Sequence, residues 1–154
     1  MTTLAANHEC LAADQRMTSG NAPARMHKIR RIGDCLYAGC GNTSLITVFL
    51  NWLDAPKKDP IRLYRLIPED CRHEFEVLEL APSGLALWDG WGVRVPILDK
   101  FYAIGSGGQS AMQAMKRGLS PEEAVAETLS LDECSGGTVE VEYLLPPERR
   151  RKRR

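Results

Sequence analysis

The chain contains no C-x-x-C pair, and its five cysteines, Cys10, Cys35, Cys40, Cys71 and Cys134, are odd in number. That argues against a disulfide framework and against a structural zinc site. No run of about eighteen apolar residues occurs. The first twenty residues already carry Asn7, His8, Glu9, Asp14, Gln15 and Arg16, so neither a membrane span nor a secretory signal is expected, and the chain reads as cytoplasmic. The three histidines, His8, His27 and His73, lack an i, i+4 partner or a carboxylate at metal spacing, so no metal or other cofactor is expected. Gly105-Ser106-Gly107-Gly108 could cradle a phosphate ahead of a helix, but Ser110 stands where a dinucleotide fingerprint needs its third glycine.

What is present fits one domain. The chain has 154 residues, 44% of them apolar, enough to form a real core. Formal net charge is zero, yet the last six residues, 149–154, are all basic and follow Pro146-Pro147. Set apart, they leave a body with six more acidic than basic residues. We therefore expect a domain over 1–145 and a solvated basic tail over 146–154. Trp52, Trp88 and Trp91 read as packing or interface residues rather than base-stacking platforms, and no nucleic-acid partner is expected.

Short apolar runs at 2–6 and 10–13 flank the polar turn Asn7-His8-Glu9 and predict a hairpin in which Thr2 begins a strand. Gly20-Asn21 and Pro23 mark a loop. A second hairpin is predicted for 27–32 and 36–39 around Gly33-Asp34. Leu45, Ile46, Phe49, Leu50 and Leu53 recur at helical spacing behind the cap candidates Asn42 and Thr43, predicting a helix over 43–53. Residues 61–72 fit either a short helix or an irregular lid. A third hairpin is predicted around the turn Ala81-Pro82-Ser83-Gly84. A strand at 101–104 then runs into helix 109–117, and Ser120-Pro121-Glu122-Glu123 opens another helix as a capping box. Alternation of Val139, Val141 and Tyr143 with Glu140 and Glu142 predicts a half-exposed last strand. Strands at both ends with helices between them suit sheets covered by helix layers.

Thr2 is the candidate nucleophile, although Met-Thr-Thr is also a common start. Methionine is normally trimmed ahead of a residue as small as threonine, which would give Thr2 both a hydroxyl and a free α-amine. An amine of that kind titrates near ~8, so it can act as base for a hydroxyl that is otherwise a poor nucleophile.

Seven segments in order resemble the proteasome family of N-terminal nucleophile hydrolases, the bacterial HslV-type peptidase in particular. They are Thr2-Thr3, Ala13-Asp14 with Ser19-Gly20-Asn21, Lys28-Ile29-Arg30-Arg31, the Cys40-Gly41 turn, Ala103 to Gly108, Ser120 to Ala124, and Asp132 with Ser135-Gly136-Gly137. The resemblance implies an α+β fold of four layers, an αββα sandwich, as a subunit of stacked rings, dodecamer or tetradecamer. Without a propeptide ahead of Thr2, the chain is expected among the simple-ring bacterial types. The implied activity is threonine-type endopeptidase on peptides or unfolded proteins, with the question of an ATPase partner open.

The implied roles are specific. Thr2 is the nucleophile, Lys28 the ammonium beside its hydroxyl, and Asp14 the carboxylate that orients the lysine. Gly41 supplies the oxyanion-binding N–H, in a turn one residue shorter than in the HslV type, and Gly39 borders the pocket for the substrate side chain. Ser106, Asp132 and Ser135 match residues around the terminal amine and a water, in a pattern closer to core proteasome β-subunits. Two alternatives stay open at this point: a ring-forming member without proteolytic activity, and a small-molecule amidase.

Overall fold

The computed structural model describes residues 2–19, 22–130 and 136–145. Met1, the expected site residues Asp132 and Ser135, and the basic tail 146–154 lie outside the described residues.

Along the chain come strands β1 (Thr3–Asn7), β2 (Cys10–Asp14), β3 (Arg16–Ser19), β4 (Ala22–Arg25), β5 (Ile29–Ile32) and β6 (Cys35–Gly41). Helices α1 (Thr43–Leu53) and α2 (Pro60–Leu66) follow, then a 3-10 turn at Glu69–Cys71. Strands β7 (Phe75–Ala81), β8 (Gly84–Trp88), β9 (Arg94–Ile97) and β10 (Phe101–Gly105) lead to α3 (Gly108–Lys116), α4 (Pro121–Leu129) and β11 (Val139–Tyr143). One antiparallel sheet has the order β10-β1-β2-β11, and a second runs β5-β6-β7-β8-β9. This mixture of antiparallel sheets and helices is the α+β class expected.

Period-two alternation decides what each strand face meets. Leu4, Ala6, Leu11 and Ala13 of the first sheet pack with Leu36, Ala38, Leu78, Leu80 and Leu85 of the second. The intervening Ala5 and Ala12 point the other way, into a cluster with Ala111, Ala114 and Met115 of α3 and Ala124 and Val125 of α4. Alanine on both strand and helix lets those backbones approach closely. Over the second sheet, Phe49, Leu50, Trp52 and Leu53 of α1 pack with Tyr37, Phe75 and Val77. Each leucine-sized side chain buried in these clusters contributes about 1.5–3 kcal/mol.

The helix ends follow their capping residues. Asn42 accepts from the N–H groups of Ser44 and Leu45, which starts α1 where the spacing places it. Ser120 and Glu123 form the reciprocal capping box of α4, with Pro121 at its first position. Asp59 caps α2 through the Ile61 N–H, so 61–72 resolves as a short helix and a 3-10 turn rather than an irregular lid.

Three local expectations need correction. Thr2 precedes β1 instead of opening it. The stretch around Pro23 forms a two-stranded ribbon, β3 with β4, where a loop was expected; proline is tolerated because, among the described residues, β4 pairs with β3 alone and is an edge strand. Strand β9 was not anticipated, since Pro96 interrupts its pattern. It survives as an edge strand, and the Arg94 guanidinium ties it back to Glu79 of β7 at 2.7 Å.

Candidate active site

Asp14 ends β2 and is fully buried. Its Oδ1 accepts the Thr3 N–H at 2.8 Å, and its Oδ2 accepts the N–H groups of Arg16 and Gly136, each at 3.2 Å. Oδ1 also receives the Lys28 ammonium at 2.9 Å. A carboxylate is tolerated at such depth only with its lone pairs answered, and here four donors answer them.

Lys28 sits just ahead of β5, and its side chain is 6% exposed. Nζ donates to Asp14 and, at 2.8 Å, to the hydroxyl oxygen of Thr2. Burial pushes the Lys28 ammonium below the usual lysine range, and the hydrogen bond and charge of Asp14 oppose that push. One ammonium therefore links the innermost carboxylate to the threonine hydroxyl.

The glycine-rich turn after β10 meets Thr2 from the other side. Thr3 pairs with Gly105. Gly105 adopts φ +92°, and a Cβ there would fall 1.9 Å from the Thr2 carbonyl oxygen, so only glycine lets the two backbones approach. The Ser106 hydroxyl donates to that same carbonyl at 3.4 Å. The turn serves contact with Thr2-Thr3.

Thr2 opens onto a cavity of about 180 Å³. Lys28, Gly39 and Gly41 share its lining with Ile46, Thr47 and Leu50 of α1. Gly41 has φ +108°, and an added Cβ would stand 2.1 Å from the Glu74 carbonyl oxygen. At Gly39 the space is taken by Ile46, whose side chain would lie 2.7 Å from an added Cβ. The cavity thus has a polar mouth at Thr2 and Lys28 and an apolar wall from α1.

Of the seven expected site residues, the structure brings Thr2, Asp14 and Lys28 into one hydrogen-bonded chain. Ser106 stands at the Thr2 carbonyl, and Gly41 lines the adjoining cavity. Asp132 and Ser135 lie outside the described residues. Cys40, a nucleophile candidate by residue type, sits near Lys28, but burial pushes its thiol up to about 12, and its Sγ lies 3.5 Å from Glu76. It remains a neutral thiol.

Sequence reasoning passed over four contributors. The backbone N–H groups of Thr3, Arg16 and Gly136 leave no mark in residue identity. Glu140, read as an exposed strand position, has a side chain only 11% exposed and accepts the Lys28 backbone N–H at 2.8 Å. Among the described residues no group of three or more His, Cys, Asp or Glu is placed to hold a metal ion. No helix among them is long and apolar enough to cross a membrane.

No family model and no curated protein matches the chain. Solved structures do. BPH from Thiobacillus denitrificans superposes with a TM-score of 0.69 at 20% identity, covering 94% of this chain and 98% of that one. The eukaryotic HslV from Trypanosoma brucei gives 0.65 at 20% identity, with 92% and 97% covered. The Chain has the proteasome-like N-terminal nucleophile hydrolase fold. A Gly-1 mutant of Anbu from Hyphomicrobium sp. strain MC1 matches this hydrolase fold at 0.64 and 14% identity, over 93% of this chain and 81% of that one. BPH has also been solved in complex with epoxomicin, where the fold matches at 0.68 and 19% identity, over 94% and 99% of the two chains.

Proposed function

We propose that the chain is a threonine-type endopeptidase of the proteasome family, with Thr2 as nucleophile. The observation that carries this reading is the buried Lys28 ammonium, 2.8 Å from the Thr2 hydroxyl and 2.9 Å from Asp14. A cation so placed favours the developing alkoxide, and Asp14 keeps it charged and aimed.

Once Met1 is removed, the α-amine of Thr2 takes the hydroxyl proton as Oγ1 bonds to the scissile carbonyl carbon. The oxyanion that forms is met by the Gly41 N–H, a type of contact worth about 3–4 kcal/mol in analogous sites. As the carbon–nitrogen bond breaks, the leaving amine takes the proton from the α-ammonium, and the acyl chain remains as an ester on Thr2. Water activated by the same amine then releases the acid. Ser106, Asp132 and Ser135 have the role of orienting the amine and that water. The cavity beside Thr2, bounded by Gly39 and α1, receives the substrate side chain.

The three apolar clusters, one between the sheets and one on each outer side, support the αββα sandwich of four layers. The fold neighbours support a ring-forming subunit that acts on peptides or proteins; stacking of those rings with the sites enclosed, in the cytoplasm and on peptides or unfolded proteins, is part of the same proposal. Hydrolysis of fluorogenic peptides by Thr2→Ala tests the reading. Activity is lost while assembly by native mass spectrometry is kept, and Thr2→Ser retains part of the rate. Wild-type turnover in the alanine variant would remove Thr2 from the mechanism.

A further inference from the structure

The segment that delivers Lys28, residues 26–28, lies between β4 and β5 and belongs to neither strand. It is held at two points. The Met26 N–H donates to the Gln15 carbonyl at 2.9 Å, next to Asp14 in sequence. The Lys28 N–H donates at 2.8 Å to Oε2 of Glu140, whose Oε1 lies 3.0 Å from Nδ1 of His27.

Glu140 belongs to β11, which pairs with β2 so that Val139 faces Asp14 and Glu140 faces Ala13. Lys28 is thereby gripped at both ends from one strand pair: Asp14 of β2 holds its ammonium, and Glu140 of β11 holds its backbone. His27 is 85% exposed and lines the cavity with Thr2. The carboxylate is therefore nearly enclosed by its two partners while one of them faces the substrate space.

Resting on the reading of Lys28 as the activating ammonium, we propose that Glu140 is a positioning residue, which fixes the Lys28 backbone so that Nζ meets the Thr2 hydroxyl. Its role differs from simple sheet stability, because its side chain bonds leave the ladder and end on the segment that carries Lys28. It also places a negative charge near that ammonium, together with Asp14, and so helps hold it protonated against the cost of burial. Among the described residues the groups with charge or titratable protons around Lys28 are thus Asp14, Glu140 and the Cys40 thiol, with His27 on the far side of Glu140, and removal of Met1 adds the α-amine of Thr2, whose hydroxyl Lys28 meets.

Two substitutions separate geometry from charge. Glu140→Ala removes both, whereas Glu140→Gln keeps an oxygen that can accept the Lys28 N–H and removes only the charge. A displaced ammonium lowers kcat about tenfold in Glu140→Ala, since small misplacements in a catalytic array are expensive. KM stays within about twofold, as expected when a transition-state interaction is lost. Glu140→Gln restores kcat to within about threefold of wild type at pH 8, and both variants move the alkaline limb of kcat to lower pH. The matching physical readout is the titration of Lys28 itself, followed by its 13Cε resonance in protein carrying labelled lysine and assigned with Lys28→Arg. Its midpoint falls in both variants.

Wild-type kcat in Glu140→Ala, or a Lys28 midpoint unchanged in both variants, overturns the positioning role. A kcat loss in Glu140→Ala that the glutamine does not restore overturns it too. The resonance readout is independent of turnover, so an inactive wild-type protein would sink the peptidase reading while the Lys28 titration still decided the role of Glu140.

Discussion

Replacing Asp14 by asparagine changes one oxygen to an amide nitrogen at the innermost point of the site. With its oxygen kept toward Thr3 and Lys28, the new NH2 group points at the N–H groups of Arg16 and Gly136; the Arg16 N–H keeps the Gly136 carbonyl at 3.0 Å, whereas the Gly136 N–H now faces a donor instead of an acceptor. Each buried donor left unanswered costs about 1–3 kcal/mol. Leaving the Lys28 ammonium buried without its counter-charge costs about 3–5 kcal/mol. These losses overlap, because the segment can relax, so a net destabilisation of about 4 kcal/mol is expected.

For a chain of this length that amounts to a Tm lower by about 10 °C. The sign of its pH dependence is fixed by the lysine. A lysine whose folded value is depressed binds fewer protons folded than unfolded between the two values, so its unfavourable contribution is fully present below the depressed value and fades as pH rises through it. Loss of Asp14 depresses Lys28 further. The Tm deficit of Asp14→Asn is therefore largest near neutrality and narrows at alkaline pH, while kcat at pH 8 falls by about 100-fold or more as the ammonium is lost. Scanning calorimetry across pH, paired with peptide turnover, checks both. A Tm within about 2 °C of wild type together with kcat within about twofold would refute the claim that Asp14 orients and charges Lys28.

Wild-type kcat falls on an alkaline limb below the ordinary lysine value of about 10.4, because burial depresses Lys28; a limb at or above that value would contradict its assignment. Lys28→Ala lowers kcat by orders of magnitude, and Lys28→Arg does not rescue it, since a guanidinium is broader than the ammonium it replaces. Near-normal turnover in both variants would discard the role. Deleting 149–154 weakens ring assembly at low salt by removing the basic counterpart of an acidic body, and the difference disappears above physiological ionic strength, where the Debye length drops below about 8 Å. Native mass spectrometry reads this, and an unchanged oligomer at low salt returns the segment to a solvated tail.

Elements with local signals were legible in the residues. Asn42 and the leucine spacing gave α1 its limits, and Ser120 to Glu123 marked the start of α4. Where tertiary context decided, the pattern was silent. Strand β9 exists because β8 offers an edge and Glu79 a partner for Arg94, neither of which lies within its own four residues. The same division holds at the site. Thr2, Asp14 and Lys28 stood out through order and residue type, but spacings of 12 and 14 residues say nothing of a 2.8 Å contact until β1, β2 and the approach to β5 converge. Glu140 was hidden by its own strand alternation, which assigns it to solvent, whereas the segment at His27 and Lys28 folds over it.

The central claim is that Thr2 acts with both its hydroxyl and its own amine. An epoxyketone such as epoxomicin closes a ring onto a hydroxyl and an adjacent free amine together, so it tests the two groups in one reaction. Intact mass of the protein before and after exposure, followed by mapping of the modified peptide, gives the answer. The account predicts a chain without Met1 that gains one inhibitor on Thr2, and no gain in Thr2→Ala. Retention of Met1 with no adduct on Thr2 would contradict it.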